Sequence, residues 1–305
     1  MMIKVKIPAT SANMGAGFDC LGIALGLYNY VYAEETDGGL NIEIRDKSAD
    51  YLPTDERNLV YRSMQAVFDR VGYRAQGLHI ILENNIPVTR GLGSSSAGIV
   101  GGLLAANELC GAGLSADELL DMAAKIEGHP DNVAPAILGG ITINASSRGK
   151  IRHVKAEVPK DLKFAAFVPN FPLPTKKSRE ILPRSVALHD AAFNTGRCAL
   201  LLTSIMTGHY ENIRIGVEDR LHQRFRKRLI PHIDDLFRQA YRSGALGVYL
   251  SGAGPTVVAI IKGGDRSFEP RMRGYLRRYM NNWRLHILNA DNVGAAACKI
   301  QMEVN

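Results

Sequence analysis

The segment Pro87-Val88-Thr89-Arg90-Gly91-Leu92-Gly93-Ser94-Ser95-Ser96-Ala97-Gly98 constrains this chain more than any other. Ahead of it, Leu78, Ile80 and Leu82 alternate with His79, Ile81 and Glu83, which predicts a strand. Behind it, Ile99 to Cys110 is an apolar run rich in Ala and Leu, which predicts a buried helix. A glycine-rich turn opening onto a helix start presents unpaired backbone amides, with the positive end of the helix dipole behind them. Gly91 and Gly93 permit left-handed backbone and close approach of a ligand. Ser94, Ser95 and Ser96 add three hydroxyls that can donate to phosphate oxygens or ligate a hard cation. The same string also suits a tight, well-capped turn with no ligand. It is neither a Walker A loop, since no GxxxxGK[ST] occurs, nor a dinucleotide fingerprint, since the glycine spacing differs.

With 305 residues the chain can bury a full core in one large or two moderate domains. Met1 to Ile7 alternates as a strand rather than forming a signal peptide, and no stretch approaches membrane-spanning length. Cys20, Cys110, Cys198 and Cys298 are widely spaced, which points to reduced thiols and a cytoplasmic compartment. Net charge is +7, with basic clusters at Arg224, Arg226, Lys227 and Arg228 and at Arg266, Arg271, Arg273, Arg277 and Arg278. Solvated helix faces account for both. Nucleic-acid binding would call for interleaved aromatics or a recognition motif, and neither is present. A positive balance also suits a site for acidic small molecules.

Taken in order, Pro8 to Gly22 is a loop dense in small residues that carries Asn13 and Asp19. Those two side chains either brace a local turn or face a substrate, the amide as hydrogen-bonding group and the carboxylate as partner for an ammonium. Leu25–Glu34 and Leu40–Arg45 alternate as a hairpin around Asp37-Gly38-Gly39, and Asn58 to Val71 has helical period. Ser115 to Lys125 predicts a helix with a capping box from Ser115 to Glu118. Glu127, His129 and Asp131 then alternate; Pro130 and the lack of further ligands argue against zinc, and Glu127 suits a hard cation such as magnesium. Leu138–Asn144 predicts a strand, and Ser146–Pro159 a crossing between domains with the boundary near 155–165. Strands are expected at Leu162–Pro169 and Trp283–Leu288, and helices at His189–Thr207 and Arg271–Asn281. Two apolar runs, together spanning Val248–Ile260, flank the turn Ser251-Gly252-Ala253-Gly254-Pro255-Thr256.

Three of these blocks, in this order, resemble the motifs of the GHMP small-molecule kinases: the Pro8–Gly22 loop, P-x-x-x-G-L-G-S-S-S, and S-G-A-G-P-T. The resemblance implies an α+β, two-domain fold, with a nucleotide-binding domain over residues 1–158 and a ferredoxin-like domain over 159–305. Asn289–Ala295 resembles the family's return strand, and the active site lies in the cleft between domains. It implies ATP and Mg2+ as partners. Pro87, Arg90, Gly91, Leu92, Gly93, Ser94, Ser95 and Ser96 would wrap the triphosphate, Asn58 would flank the adenine, and Ser95 with Glu127 would hold Mg2+. The strings P-A-T-S-A-N-x-G-x-G-F-D-x-L-G and H-x-D-N-V-A-P resemble the branch whose acceptor is L-homoserine, which implies phosphorylation of its side-chain hydroxyl on the way to threonine.

In that branch Asn13, Asp19 and Asp131 would engage the amino acid, either acid taking the ammonium. Arg179 and Arg226 would clamp the carboxylate, with Arg224 the competing choice, and Thr175 and Gly252 would complete the pocket. Asn132 stands where mevalonate and galactose kinases carry an Asp, so it would align the hydroxyl without serving as a base. The chain departs from the branch in lacking an insert between Gly128 and His129, and in carrying Arg224-Phe225 where Pro-Tyr is usual. The rival readings are a mevalonate-type kinase and a catalytically silent sensor of the same fold. Oligomeric state is left open, a homodimer included.

Overall fold

Alternation in the first residues produces strand β1 (Met2–Ala12), which buries Ile3, Val5 and Ile7 and pairs antiparallel with β2 (Leu21–Thr36). The computed structural model describes residues 1–301. β3 (Gly39–Ile44), α1 (Leu59–Val71), β4 (Gly77–Glu83) and α2 (Ser94–Leu109) follow. Next come α3 (Ala116–Glu127), α4 (Pro130–Leu138), β5 (Ile141–Ser147) and β6 (Lys150–Ala156). One sheet holds these strands in the order β11-β1-β2-β4-β3, with β5 on β2 and β6 on β5; β11 (Ala296–Ile300) is the last strand of the chain.

The expected hairpin of β2 with β3 does not form. β4 inserts between them, antiparallel to β2 and parallel to β3, and Gly77 pairs with both Thr36 and Gly39. Burial decides the order: β4 buries consecutive residues Ile80, Ile81 and Leu82 and so needs neighbours on both sides, whereas β3 exposes Asn41 and Glu43 and tolerates an edge. Gly77 makes the crossing possible, because a Cβ there would lie 2.4 Å from the Gly38 carbonyl carbon. Nor is the run 146–159 a linker: β6 lies within it and pairs with β5, leaving only 157–161 to cross.

The second sheet has the order β10-β7-β9-β8, all antiparallel, from β7 (Leu162–Pro169), β8 (Gly247–Leu250), β9 (Val257–Lys262) and β10 (Trp283–Leu288). Between β7 and β8 lie α5 (Thr175–Glu180), α6 (Leu188–Thr207), α7 (Ile213–Gly216), α8 (Gln223–Arg226) and α9 (Ile233–Arg242); α10 (Phe268–Tyr279) joins β9 to β10. This β-α-β-β-α-β order, with the fourth strand beside the first, is ferredoxin-like. Phe167, Val257 and Ala259 pack on α9 and α10, while Phe164, Ala166, Val258 and Ile260 on the other face join the core of the first sheet. The chain then returns: residues 289–295 cross back and β11 pairs with β1, so the return strand is 296–300 and the second sheet ends at Leu288 rather than at the C-terminus. Among the described residues, no helix is long and apolar enough to cross a membrane.

α2 is the central helix, buried on most sides. Gly101 and Gly102 let it approach its neighbours: a Cβ on Gly101 would meet Val31 Cγ2 at 2.7 Å, and one on Gly102 the Val60 carbonyl oxygen at 2.3 Å. Gly102→Val is expected to cost about 3 kcal/mol of overpacking, read as a lower urea midpoint at unchanged m-value.

Candidate active site

Helix α2 begins at Ser94, five residues earlier than the apolar run predicts, so Ser94, Ser95 and Ser96 form its first turn. Gly93 caps it in left-handed conformation (φ 70°), and Gly91 is also left-handed (φ 80°). Both sites exclude a side chain. A Cβ at Gly93 would lie 1.9 Å from Thr10 Oγ1, and one at Gly91 would lie 2.6 Å from the Ser251 carbonyl oxygen. The turn is tied from outside by Thr10 N–H to the Leu92 carbonyl (3.1 Å), Thr256 N–H to the Arg90 carbonyl (3.1 Å) and the Ser251 hydroxyl to the Gly91 carbonyl. Its carbonyls therefore face β1 and the Ser251–Thr256 turn.

A cavity of about 340 Å³ opens in front of this helix start. Gly91, Gly93, Ser94 and Ser95 line it; Pro87, Arg90, Leu92 and Ser96 do not. Leu92 is core, and Arg90 turns away to the Asn170 carbonyl (2.7 Å). Leu52, Pro53, Leu59, Val60, Leu82 and Val88 form an apolar recess at one end. Asn58 borders it, capping α1 through Val60 N–H (2.9 Å) and donating to the Pro53 carbonyl (2.7 Å).

Glu127, the last residue of α3, accepts from Ser95 (3.0 Å) and Ser96 (2.9 Å), one hydroxyl on each carboxylate oxygen. α4 was not expected, because two prolines fall in it. Pro130 sits at its first position, where a missing N–H costs nothing, and Pro135 lies inside. This helix moves the predicted strand start from Leu138 to Ile141. It also carries Asp131 and Asn132 into the cavity. Thr10 Oγ1 donates to Asn132 Oδ1 (2.8 Å), leaving Asn132 Nδ2 beside Asp131 Oδ1 (3.4 Å). His129 Nδ1 lies 2.6 Å from the buried Asp131 carboxylate. Burial disfavours the imidazolium, but the Asp131 hydrogen bond and charge, with Glu127 behind, outweigh it and raise the His129 pKa.

At the opposite end stand two arginines in different surroundings. Arg179 of α5 makes a bidentate pair with Asp19 (2.7 and 3.0 Å), which raises its pKa. Arg226 of α8 is only 1% exposed; burial, then repulsion from Arg179, pushes its pKa down to about 10. The competing Arg224 pairs with Asp190 (3.2 Å) outside the cavity, so Arg226 is the arginine the fold delivers. Asn13, left-handed at φ 69°, accepts from Asp19 N–H (2.9 Å) and donates to the Gly252 carbonyl (3.0 Å), so both ends of its amide are engaged within the protein. Thr175 and Gly252 also line the cavity. The sequence reading missed Thr10, Phe18, His222 and the apolar recess. Thr10 and Phe18 lay inside the quoted motif; the contact of Phe18 with His222, and the recess, form only across the fold.

Open amides at a helix start and a hydroxyl–carboxylate pair on the first half, facing two arginines carried by the ferredoxin-like half, suit a small-molecule kinase. Family models described as GHMP kinases N terminal domain and GHMP kinases C terminal match residues 58–140 and 201–269. The chain belongs to the GHMP kinase family. Its relatives include homoserine kinases from Caldicellulosiruptor bescii (47% identical, covering 98% of each chain) and Clostridium botulinum (46%, covering 98% of this chain and 99% of that one). A solved homoserine kinase from Cytophaga hutchinsonii matches with TM-score 0.88 at 30% identity over 97% of each chain. A mevalonate kinase from L. major shares the fold alone, at TM-score 0.73 and 15% identity over 94% of this chain and 95% of that one.

Thr10 fixes which atom of the Asn132 amide faces the cavity. Thr10→Val keeps the shape and removes that hydroxyl, so kcat is expected to fall about tenfold, with the ATP KM nearly unchanged in steady-state assays.

Proposed function

We propose that this chain transfers the γ-phosphoryl group of ATP to the side-chain hydroxyl of L-homoserine, giving the O-phosphoester used in threonine synthesis. One observation carries the reading: a single cavity runs from the open amides of α2, past a carboxamide, to two arginines. The amides of Gly93 to Ser95 would receive the triphosphate and the recess beside Asn58 the adenine. Arg179 and Arg226 would hold the amino-acid carboxylate, with Asp19 and Asp131 bordering the place of its ammonium. In this reading the nucleotide half comprises residues 1–158 with the return strand, and the second half runs from 159 to 288.

Ser95 and Glu127 suit Mg2+, which takes hard oxygens, few of them from protein when phosphates supply the rest. The ion would supply neutralisation of charge building on the phosphate oxygens. Asn132 cannot take a proton at neutral pH, and none of its work requires it to. Phosphoryl transfer passes through a loose transition state with little bonding to the nucleophile, so aligning the hydroxyl suffices and the proton leaves late onto phosphate. Catalysis rests on positioning and on placed charge.

ADP release is expected with L-homoserine and not with mevalonate, galactose or no acceptor; acceptor-independent release, or none with tight ATP binding, would overturn the assignment. Arg179→Ala should raise the homoserine KM by roughly 30- to 150-fold, from about 2–3 kcal/mol of charged hydrogen bonding, and leave the ATP KM unchanged. Glu127→Gln should instead lower kcat by about a hundredfold or more.

A further inference from the structure

We propose that His222 is a positioning residue for substrate carboxylate recognition, holding Arg226 in the cavity wall through a neutral acceptor that leaves the arginine's charge uncancelled. This role rests on Arg226 binding the substrate carboxylate. It adds what keeps that guanidinium aimed and available.

The two arginines of the cavity are held differently. Arg179 is held by a carboxylate. Arg226 donates only to neutral groups: Nη1 to the Gly252 carbonyl (2.9 Å) and to His222 Nδ1 (3.3 Å), and Nε to the Ser178 carbonyl (3.3 Å). Among the described residues no acidic side chain forms an ion pair with it, although buried charges are usually paired. A buried cation with no carboxylate in contact, although Asp19, Asp131 and Asp219 act on it from farther off, can still take an anion at the cavity wall. An acidic residue in place of His222 would satisfy Arg226 internally and withdraw it.

His222 is fully buried, and its partners dictate its tautomer. Nε2 lies 2.8 Å from the Gly15 carbonyl, which can only accept, so Nε2 carries the proton. Nδ1 then presents its lone pair to Arg226, which can only donate. Asp19, which acts on both side chains, is taken up by Arg179, and Asp131, which acts on Arg226, lies against His129. Asp219 Oδ2 is 3.8 Å from Nε2, and that carboxylate is already occupied by the N–H groups of Leu221, His222 and Gln223 and by the Asn194 amide. Burial lowers the His222 pKa and favours the neutral ring. Phe18 completes the support: it stacks on His222 (centroids 5.2 Å apart) and lies 5.3 Å from the Arg226 guanidinium.

Two conservative variants separate this role from a structural one. Asparagine puts amide atoms where Nδ1 stands and can still accept from Arg226, while glutamine reaches the Nε2 position and can still donate to Gly15. His222→Gln is expected to raise the homoserine KM about tenfold with kcat and the ATP KM near wild type, and His222→Asn to stay within about threefold. His222→Glu should raise the homoserine KM at least about a hundredfold by pairing with Arg226. A homoserine KM that suffers in Asn but not in Gln, or parallel losses in kcat and the ATP KM, would reduce His222 to scaffold.

Arg226→Gln is the control. If it leaves the homoserine KM unchanged, the carboxylate clamp itself is wrong; if it raises that KM while His222→Gln does not, only the positioning role falls. Should the variants fail to fold, imidazole 15N spectra of the wild-type protein decide. An unprotonated Nδ1 between about pH 5.5 and 8 that shifts with homoserine supports the role, and a protonated Nδ1 overturns it.

Discussion

The site depends on how the start of α2 is braced. Left to itself, a helix N-terminus satisfies its free amides with a capping side chain or water. Here the cap is Gly93, which has no side chain to offer, and the carbonyls of Arg90, Gly91 and Leu92 are turned outward to Thr256, Ser251 and Thr10. The amides of the first turn are thereby left for a ligand. Three distant segments impose this arrangement, β1, the Gly-rich turn between β4 and α2, and the β8–β9 turn being joined at one point. Thr10 serves both sides of it, bonding the loop through its backbone and Asn132 through its hydroxyl. In the proposed function, phosphate loop and acceptor alignment thus share a single residue.

Charge is partitioned along the same cavity. At the α2 end Glu127 is held by two serine hydroxyls beside the helix start, which fixes a carboxylate where the proposed divalent cation would need it. At the other end one arginine is paired with Asp19, and the other has no carboxylate in contact. An incoming zwitterion can exchange with the first pair and compensate the second. Asn132 stands between the two ends as a neutral group, consistent with a reaction governed by geometry and field rather than by proton abstraction.

Much of this was legible in the sequence, because the chemistry lies in contiguous strings. The glycine and serine turn, the Glu127–Asn132 run and Arg179 all reached the cavity. What escaped has a physical reason in each case. The β2–β3 hairpin looked sound locally, yet β4 is more apolar and displaced it from the inner position. α4 was hidden by Pro130 and Pro135, although the first of these is a good helix starter. The helix start at Ser94 was masked because serines lower apolar periodicity without preventing a first turn. The tie of His222 to Gly15 and Arg226, and the stacking of Phe18, span residues far apart in the chain, and no local pattern announces them. Arg90 and Leu92 fell inside the motif but serve the scaffold, Arg90 bonded to the Asn170 carbonyl and Leu92 buried in the core.

The central claim is that the backbone amides at the mouth of α2 receive the triphosphate. Amide NMR of the isotope-labelled protein, titrated with a nonhydrolysable ATP analogue and Mg2+, tests it most directly. The account predicts the largest shifts at Gly91 to Ser96, saturating together with that ligand. Saturable binding that leaves those amides unmoved, with the largest shifts elsewhere, would contradict it.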